Sequence, residues 1–324
     1  MELYLKIGNR NISFIFTEDN KILDIFDIPC YVTLDKNDKI LNFGPLSFLQ
    51  YILIKQSNKI SDYPLVLRNR EENFDYKVER LVENNFIQDY NIFFKIMESI
   101  FSGKIHLLYD ISIIEDYKKY EIPFFTNFDH FHKLIKQTKK VIWVNFIDKN
   151  SPYFKNQKNF LKDVFSYLKL KLEVVPFWEF FKNFHYKMMN FYIGEQNFYI
   201  WIANNFGFVK YQKIDDINLR KIRESLSKEL LSNGYFLKYK ELENLSINFL
   251  SNHDFLTFKY FQSKLREKII NFVKSLQPTI LEDFYEQITA QKENSINVFL
   301  SINEKNIVFS RKFLEIFEEI LIRS

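Results

Sequence analysis

The segment Asp129-His130-Phe131-His132 is the closest grouping of metal-ligating side-chain types in the chain. Strand spacing would place both imidazoles on one side, as two ligands of a zinc site require. No cysteine or further histidine accompanies them, and His106, His185 and His253 stand alone. The pair therefore reads as surface or packed histidines. No Ser-His-Asp arrangement, Walker A pattern or zinc motif occurs in the sequence. Cys30 is the only cysteine, so an intrachain disulfide is excluded, which is compatible with a reducing compartment. The loop Ile122-Pro123-Phe124-Phe125 has the composition of a membrane-dipping turn, but a turn packed on its own core is the preferred reading.

The elements that organise the chain are two hairpins. Asn190–Trp201 is a strand, a turn at Gly194 and a second strand; Leu3-Tyr4-Leu5-Lys6-Ile7, Gly8 and Ile12–Phe16 have the same shape. The chain holds only six glycines, and two stand at matching places in these hairpins. Glycine supplies the backbone freedom of a tight turn. The match suggests a domain built twice.

With 324 residues and 47% hydrophobic content, the chain suits two ordinary domains. Its 37 phenylalanines and only two alanines reflect coding bias rather than function. A net charge of +4, with lysines dispersed among acids and aromatics, argues against a nucleic-acid partner. No apolar run approaches the ~20 residues that span a bilayer. With no signal peptide at its start, the chain is expected to be soluble and cytoplasmic.

Periodicity predicts a strand over 27–34, a polar turn at 35–39 and a return strand at 40–43, followed by a short helix bearing Leu46, Leu49, Ile52 and Leu53. A helix is predicted over 90–101 and a strand over 105–109; 111–140 carries no clear pattern. Val141–Phe146 reads as a buried strand of parallel type. Then come a helix over 155–170, a strand at 172–175, a helix over 176–187, the second hairpin and a strand at 208–211. Helices are predicted over 216–232, 239–250, 255–276 and 278–289, with a strand at 296–300 and a closing helix over 310–323.

This order resembles the actin-like superfamily, and within it the bacterial cell-shape proteins of the MreB type. Ile28–Lys36 followed by Ile40–Gly44 looks like that family's Pro-Ser-Val-Val-Ala-x-Asp segment and the strand ending in Val-Gly. Asn85–Tyr90 is similar to its Gly-Val-Ile-x-Asp-Phe, Val141–Val144 to its Ile-Ser-Val-Pro strand, and Arg266–Ile288 to the helix pair before the adenosine loop. FtsA, PilM and DnaK-type ATPases share the framework. The resemblance implies an actin-like, ribonuclease H-like α/β fold with two mixed sheets flanked by helices around a central cleft. Domain I is expected at 1–138, with an inserted subdomain at about 30–85, domain II at 139–305, and a helix at 306–324 packing back on the body.

The family's phosphate loops are altered. Where it has Asp-aliphatic-Gly, this chain has Lys6-Ile7-Gly8-Asn9-Arg10-Asn11. Lys6 replaces the aspartate that holds Mg²⁺ through water; it repels a metal, though it could itself neutralise phosphate. Gly8 and the amides around Asn9 retain the makings of an anion nest. The second loop, Asp-aliphatic-Gly-Gly-Gly-Thr in the family, is Tyr192-Ile193-Gly194-Glu195-Gln196-Asn197. Glu195 brings negative charge where a phosphate belongs. The adenosine turn is replaced by Ser301–Glu304, Asp215-Asp216 falls near a Gly-Gly turn, and bulky Phe177-Trp178-Glu179-Phe180-Phe181 follows the Glu-Pro position. Glu179 is the nearest candidate for the water-orienting acid; no other catalytic residue and no metal ligand is expected.

The resemblance, with these departures, implies a cytoskeletal or scaffold protein that does not hydrolyse ATP. It would act by self-association or by capping an active actin-like homologue, in the cytoplasm or at the inner face of the membrane. Lys6, Gly8, Asn9, Arg10, Asn11, Gly194 and Asn197 would hold nucleotide or anion only if ATP and Mg²⁺ still bind. A PilM- or FtsA-like docking platform for a membrane machine, and an ATPase or sugar kinase with an unusual pocket, remain as alternatives.

Overall fold

The computed structural model describes residues 1–19, 21–57, 76–120, 122–182, 189–204, 207–237, 239–247, 254–276 and 296–300. It divides into two units, Met1–Phe180 and Phe181–Ser324.

The first unit is built on a five-stranded sheet. β1 (Glu2–Ile7), β2 (Asn11–Glu18) and β3 (Lys21–Pro29) form an antiparallel meander. β9 (Lys140–Asn145) then lies parallel to β1, and β10 (Lys171–Pro176) parallel to β9, giving the order β10-β9-β1-β2-β3. Val141 to Asn145 are all buried, which explains why β9 reads as an unbroken apolar run: a strand covered on both faces has no solvent side to alternate with. The expected boundary at 138/139 is thereby corrected. Residues 139–180 complete the first sheet, because β9 takes its hydrogen-bond partners from β1.

The predicted strand at 27–34 is two strands. Cys30 interrupts it by donating its amide to the Arg10 carbonyl (2.7 Å) and accepting from Leu81 N (2.8 Å). Beyond it β4 (Tyr31–Asp35) joins β5 (Ile40–Phe43) and β6 (Tyr76–Arg80) in a three-stranded sheet, with α1 (Pro45–Ser57) following β5. The Asp35 carboxylate closes the turn by accepting from Asn37 N and Lys39 N at 2.8 and 2.9 Å. A two-stranded ribbon, β7 (Val82–Glu83) and β8 (Phe86–Ile87), follows. This region, expected as an inserted subdomain, shares the first unit's core through Val32, Leu34, Phe43 and Leu81.

Helix α2 (Tyr90–Phe101) covers the predicted span. Asp89 caps it by accepting from Ile92 N, and Ile92, Phe93, Ile96, Met97 and Ile100 are its buried stripe. Its end is a Schellman motif: Gly103 N donates to Ile100 O (3.2 Å), and Lys104 N to Ser99 O (2.8 Å). The strand expected at 105–109 is a 3-10 turn, Ile105–Leu107. Two helices occupy the unassigned stretch, α3 (Ile114–Lys119) and α4 (Phe128–Gln137); α5 (Pro152–Tyr167) and α6 (Phe177–Lys182) follow β9 and β10.

The second unit repeats the first unit's plan. β11 (Met189–Ile193), β12 (Phe198–Asn204) and β13 (Gly207–Ile214) form an antiparallel meander, and β14 (Ile296–Leu300) lies parallel to β11, in the order β13-β12-β11-β14. Helices α7 (Leu219–Ser232), α8 (Tyr239–Ile247) and α9 (Leu256–Lys274) supply Ile222, Leu226, Leu242, Phe258, Phe261 and Leu265 to its core. The helices predicted at 278–289 and 310–323 lie outside the described residues.

Candidate functional site

The two hairpin loops share one geometry. In the first, Ile7 pairs with Ile12 and Gly8 N donates to Asn11 O at 3.0 Å. In the second, Ile193 pairs with Phe198 and Gly194 N donates to Asn197 O at 2.7 Å. The glycines serve a purpose other than the conformational freedom expected from sequence, because neither has a left-handed φ. A Cβ at Gly8 would stand 3.1 Å from the Asn11 carbonyl oxygen, and one at Gly194 would stand 2.9 Å from that of Asn197. The close approach of a carbonyl selects glycine at both places.

Lys6 lies in β1, opposite Ser13 and beside Val144, and is buried. Asn9 is bound within its own unit: Nδ2 donates to Asn85 Oδ1 (3.2 Å), and Asn9 Oδ1 accepts from Asn85 N (2.7 Å). Gln157 of α5 extends the network, donating to Asn85 O and accepting from Ile87 N. Arg10 is buried with its guanidinium carbon 5.2 Å from the centre of the Phe48 ring. Asn11 and Asn197, equivalent in the repeat, are both buried. Asn11 Nδ2 and Oδ1 and Asn197 Nδ2 take no hydrogen bond among the described residues.

The second loop contains a residue that sequence reasoning missed. Arg223 of α7 forms a hydrogen-bonded ion pair with Glu195. The two residues are only 7% and 4% exposed. The charge expected to repel a phosphate is therefore answered inside the second unit. The start of α7 docks on the same loop: Leu219 N donates to Gly194 O (3.2 Å), Arg220 N to Glu195 O (3.0 Å) and Asn218 Nδ2 to Gln196 O (3.1 Å). Asn218 also caps the helix, accepting from Lys221 N at 2.8 Å. The signal for Arg223 was present, since it interrupts the buried stripe Leu219, Ile222, Leu226, Leu230 at helical spacing.

Glu179 is exposed in the first turn of α6, two residues after Phe177, whose ring stacks on Phe146 at 5.1 Å. Asp215 and Asp216 pair with Lys213 (2.7 Å) and Lys268 (3.6 Å). Ser301–Glu304 lies outside the described residues.

The expectation that His130 and His132 share a side is overturned, because both lie on α4. Residues two apart on a helix do not face the same way. His130 Nε2 meets Asp24 Oδ2 at 3.0 Å, whereas the His132 ring lies against Gly103. Burial, and then the Lys136 charge, hold His132 below the usual histidine range, partly offset by Asp129. A Cβ at Gly103, whose φ is +76°, would fall 2.4 Å from His132 Cε1. Gly103→Ala is therefore expected to lower the first unit's stability by about 2–4 kcal/mol, from left-handed strain plus displacement of the ring. Denaturant unfolding measures it, and a loss below ~0.5 kcal/mol would refute the packing described. The loop 122–125 packs inward: Ile122 is buried, Phe125 N donates to Tyr109 Oη (2.9 Å), and the Phe125 ring contacts Phe26 and Phe131. No helix among the described residues is long and apolar enough to cross a membrane.

A three-stranded antiparallel meander with a parallel strand added beside its first strand, present twice, defines the class: the fold is actin-like, of the MreB type. Solved structures of MreB5 of Spiroplasma citri share it. With the AMPPNP-bound structure the TM-score is 0.60 at 10% identity, covering 98% of this chain and 90% of the other. With the ADP-bound structure it is 0.61, at the same identity and coverage. No family model and no curated protein matches the sequence.

Proposed function

We propose that this chain is an actin-like cytoskeletal or scaffold protein that does not hydrolyse ATP. In this reading it works by self-association or by capping an active homologue in cell-shape or cell-organisation machinery, in the cytoplasm or against the inner membrane face. The observation that carries it is the same in both loops. The side chain just after the glycine is consumed within its own unit, Asn9 by Asn85 and Glu195 by Arg223. Phosphoryl transfer depends on metal, phosphate and water being positioned together. The metal-holding aspartates are replaced by Lys6 and Tyr192, and a lysine ammonium beside Mg²⁺ is repulsive. Calorimetric titration with Mg·ATP is expected to give no saturable heat, and electron microscopy to show assemblies without nucleotide. Binding in the micromolar range would overturn the proposal.

A second reading, a nucleotide or anion still held without a metal, is favoured by one observation. Among the described residues the buried side-chain amide nitrogens of Asn11 and Asn197, at equivalent positions, take no hydrogen bond, and such groups ordinarily have a partner in water or ligand. Titration with ATP in EDTA separates the two readings.

A further inference from the structure

We propose that the joined ends of α7 and α9 form a tip of the second unit that dips into an anionic lipid surface. This goes beyond the functional reading, which leaves the cytoplasm and the membrane face both open, and it does not depend on how the hairpin loops treat phosphate.

The starting point is apolar surface left in water. Single exposed hydrophobic side chains are ordinary, but a concentration of them marks a contact surface. Leu231, Tyr235, Phe236, Leu256 and Tyr260 are between 45% and 72% exposed. One interaction brings their two segments together. Glu229 of α7 accepts from Leu256 N (2.6 Å) and Thr257 N (2.7 Å), so a side chain of α7 caps the start of α9. The chain leaves α7 through Gly234, whose φ is +79° and where an added Cβ would meet nothing within 4 Å. Tyr235 and Phe236 therefore stand on a projecting turn, not in a groove. On α9, Leu256, Tyr260 and Lys264 follow at intervals of four and share one side, away from Phe258 and Leu265, which enter the core.

This composition suits lipid. Aromatic rings settle between water and hydrocarbon, and lysine stems lie along apolar surface while their ammonium groups reach the headgroups. Lys228 and Lys259 are exposed, and Lys264 Nζ lies 5.1 Å from the centre of the Tyr260 ring. Lys238 and Lys240 follow Phe236 in the chain. The acids at the tip are engaged, Glu229 by the two amides and Asp254 by Lys259 at 3.9 Å. Positive charge is thus in excess where the apolar side chains project, which favours an anionic surface. The loop 122–125, whose composition suggested this role, packs into the first unit instead.

Flotation of the full chain with vesicles of equal parts phosphatidylcholine and phosphatidylglycerol tests the proposal. The wild-type chain should float with them and not with phosphatidylcholine alone. Tyr235→Ser/Phe236→Ser/Leu256→Ser/Tyr260→Ser should keep the wild-type melting temperature, since all four side chains are exposed, and should bind about tenfold more weakly or worse. Phe236→Trp gives a direct signal that decides the matter even if the quadruple variant fails to fold. Its emission should shift to the blue on binding, and brominated lipid should quench it beyond any loss seen with the wild-type chain. A wild-type chain that ignores anionic vesicles, a folded quadruple variant that binds them as well as wild type, or a Phe236→Trp chain without that quenching overturns the proposal. A quadruple variant that loses a solution oligomer and keeps lipid binding would give the tip to a second copy, and overturns it too. Mg·ATP binding by the wild-type chain would instead overturn the functional reading and leave the lipid result standing.

Discussion

Arg223→Ala should destabilise the second unit by about 3–5 kcal/mol, because it removes the guanidinium paired with the buried Glu195 carboxylate. Glu195 is only 4% exposed, so water cannot readily replace the lost guanidinium. The loss should shrink as pH falls through the carboxylate range. A buried carboxylate that has lost its guanidinium is more easily protonated in the folded variant than in its unfolded chain, so stability is favoured at low pH and lost as pH rises. Removing both charges in Glu195→Leu/Arg223→Met should cost far less, on the order of 1 kcal/mol, because no charge then remains buried. Hydrogen exchange of the β12 amides measures the effect within the second unit. A single variant no less stable than the double would mean that the pair is solvated and contributes little.

Phe131→Ala should destabilise the first unit by a comparable amount, about 3–5 kcal/mol, by leaving a ring-sized cavity. Phe131 is 1% exposed. Its ring centre lies 5.6 Å from that of Phe14, 6.0 Å from Phe16, 4.8 Å from Phe26 and 4.9 Å from Phe125. It therefore ties α4 and the 122–125 loop to β2 and β3. Phe131→Leu, which keeps most of the volume, should cost roughly 1–1.5 kcal/mol. Denaturant midpoints for both variants provide the check. Equal losses would show that hydrophobicity matters at this position and ring packing does not.

These two residues mark where sequence reading succeeded and where it stopped. Phe131 was visible only as the spacer between two histidines, whose residue types suggested a metal. What orients them is the helix, capped when Asn127 accepts from His130 N at 2.9 Å. The helix does carry a periodic signal, with Phe131, Leu134 and Ile135 buried at helical spacing, but two histidines two residues apart also match the strand period. Arg223 was not singled out, although a charge interrupting an apolar stripe at helical spacing was there to be seen. Its partner was not legible, since 28 residues separate it from Glu195.

By itself the sequence determined the local and repeated features. Two hairpins with turns of matching length, each opened by a glycine, were legible because a turn is specified by its own residues. So were α2, with its cap and stripe, and β9, an apolar run too continuous for an exposed strand. Only the tertiary structure decided that β9 belongs to the first sheet, that Cys30 divides one strand into two, and that Glu195 is neutralised by Arg223. Each of these depends on a hydrogen bond or ion pair between residues distant in the chain, and no local propensity specifies such a partner.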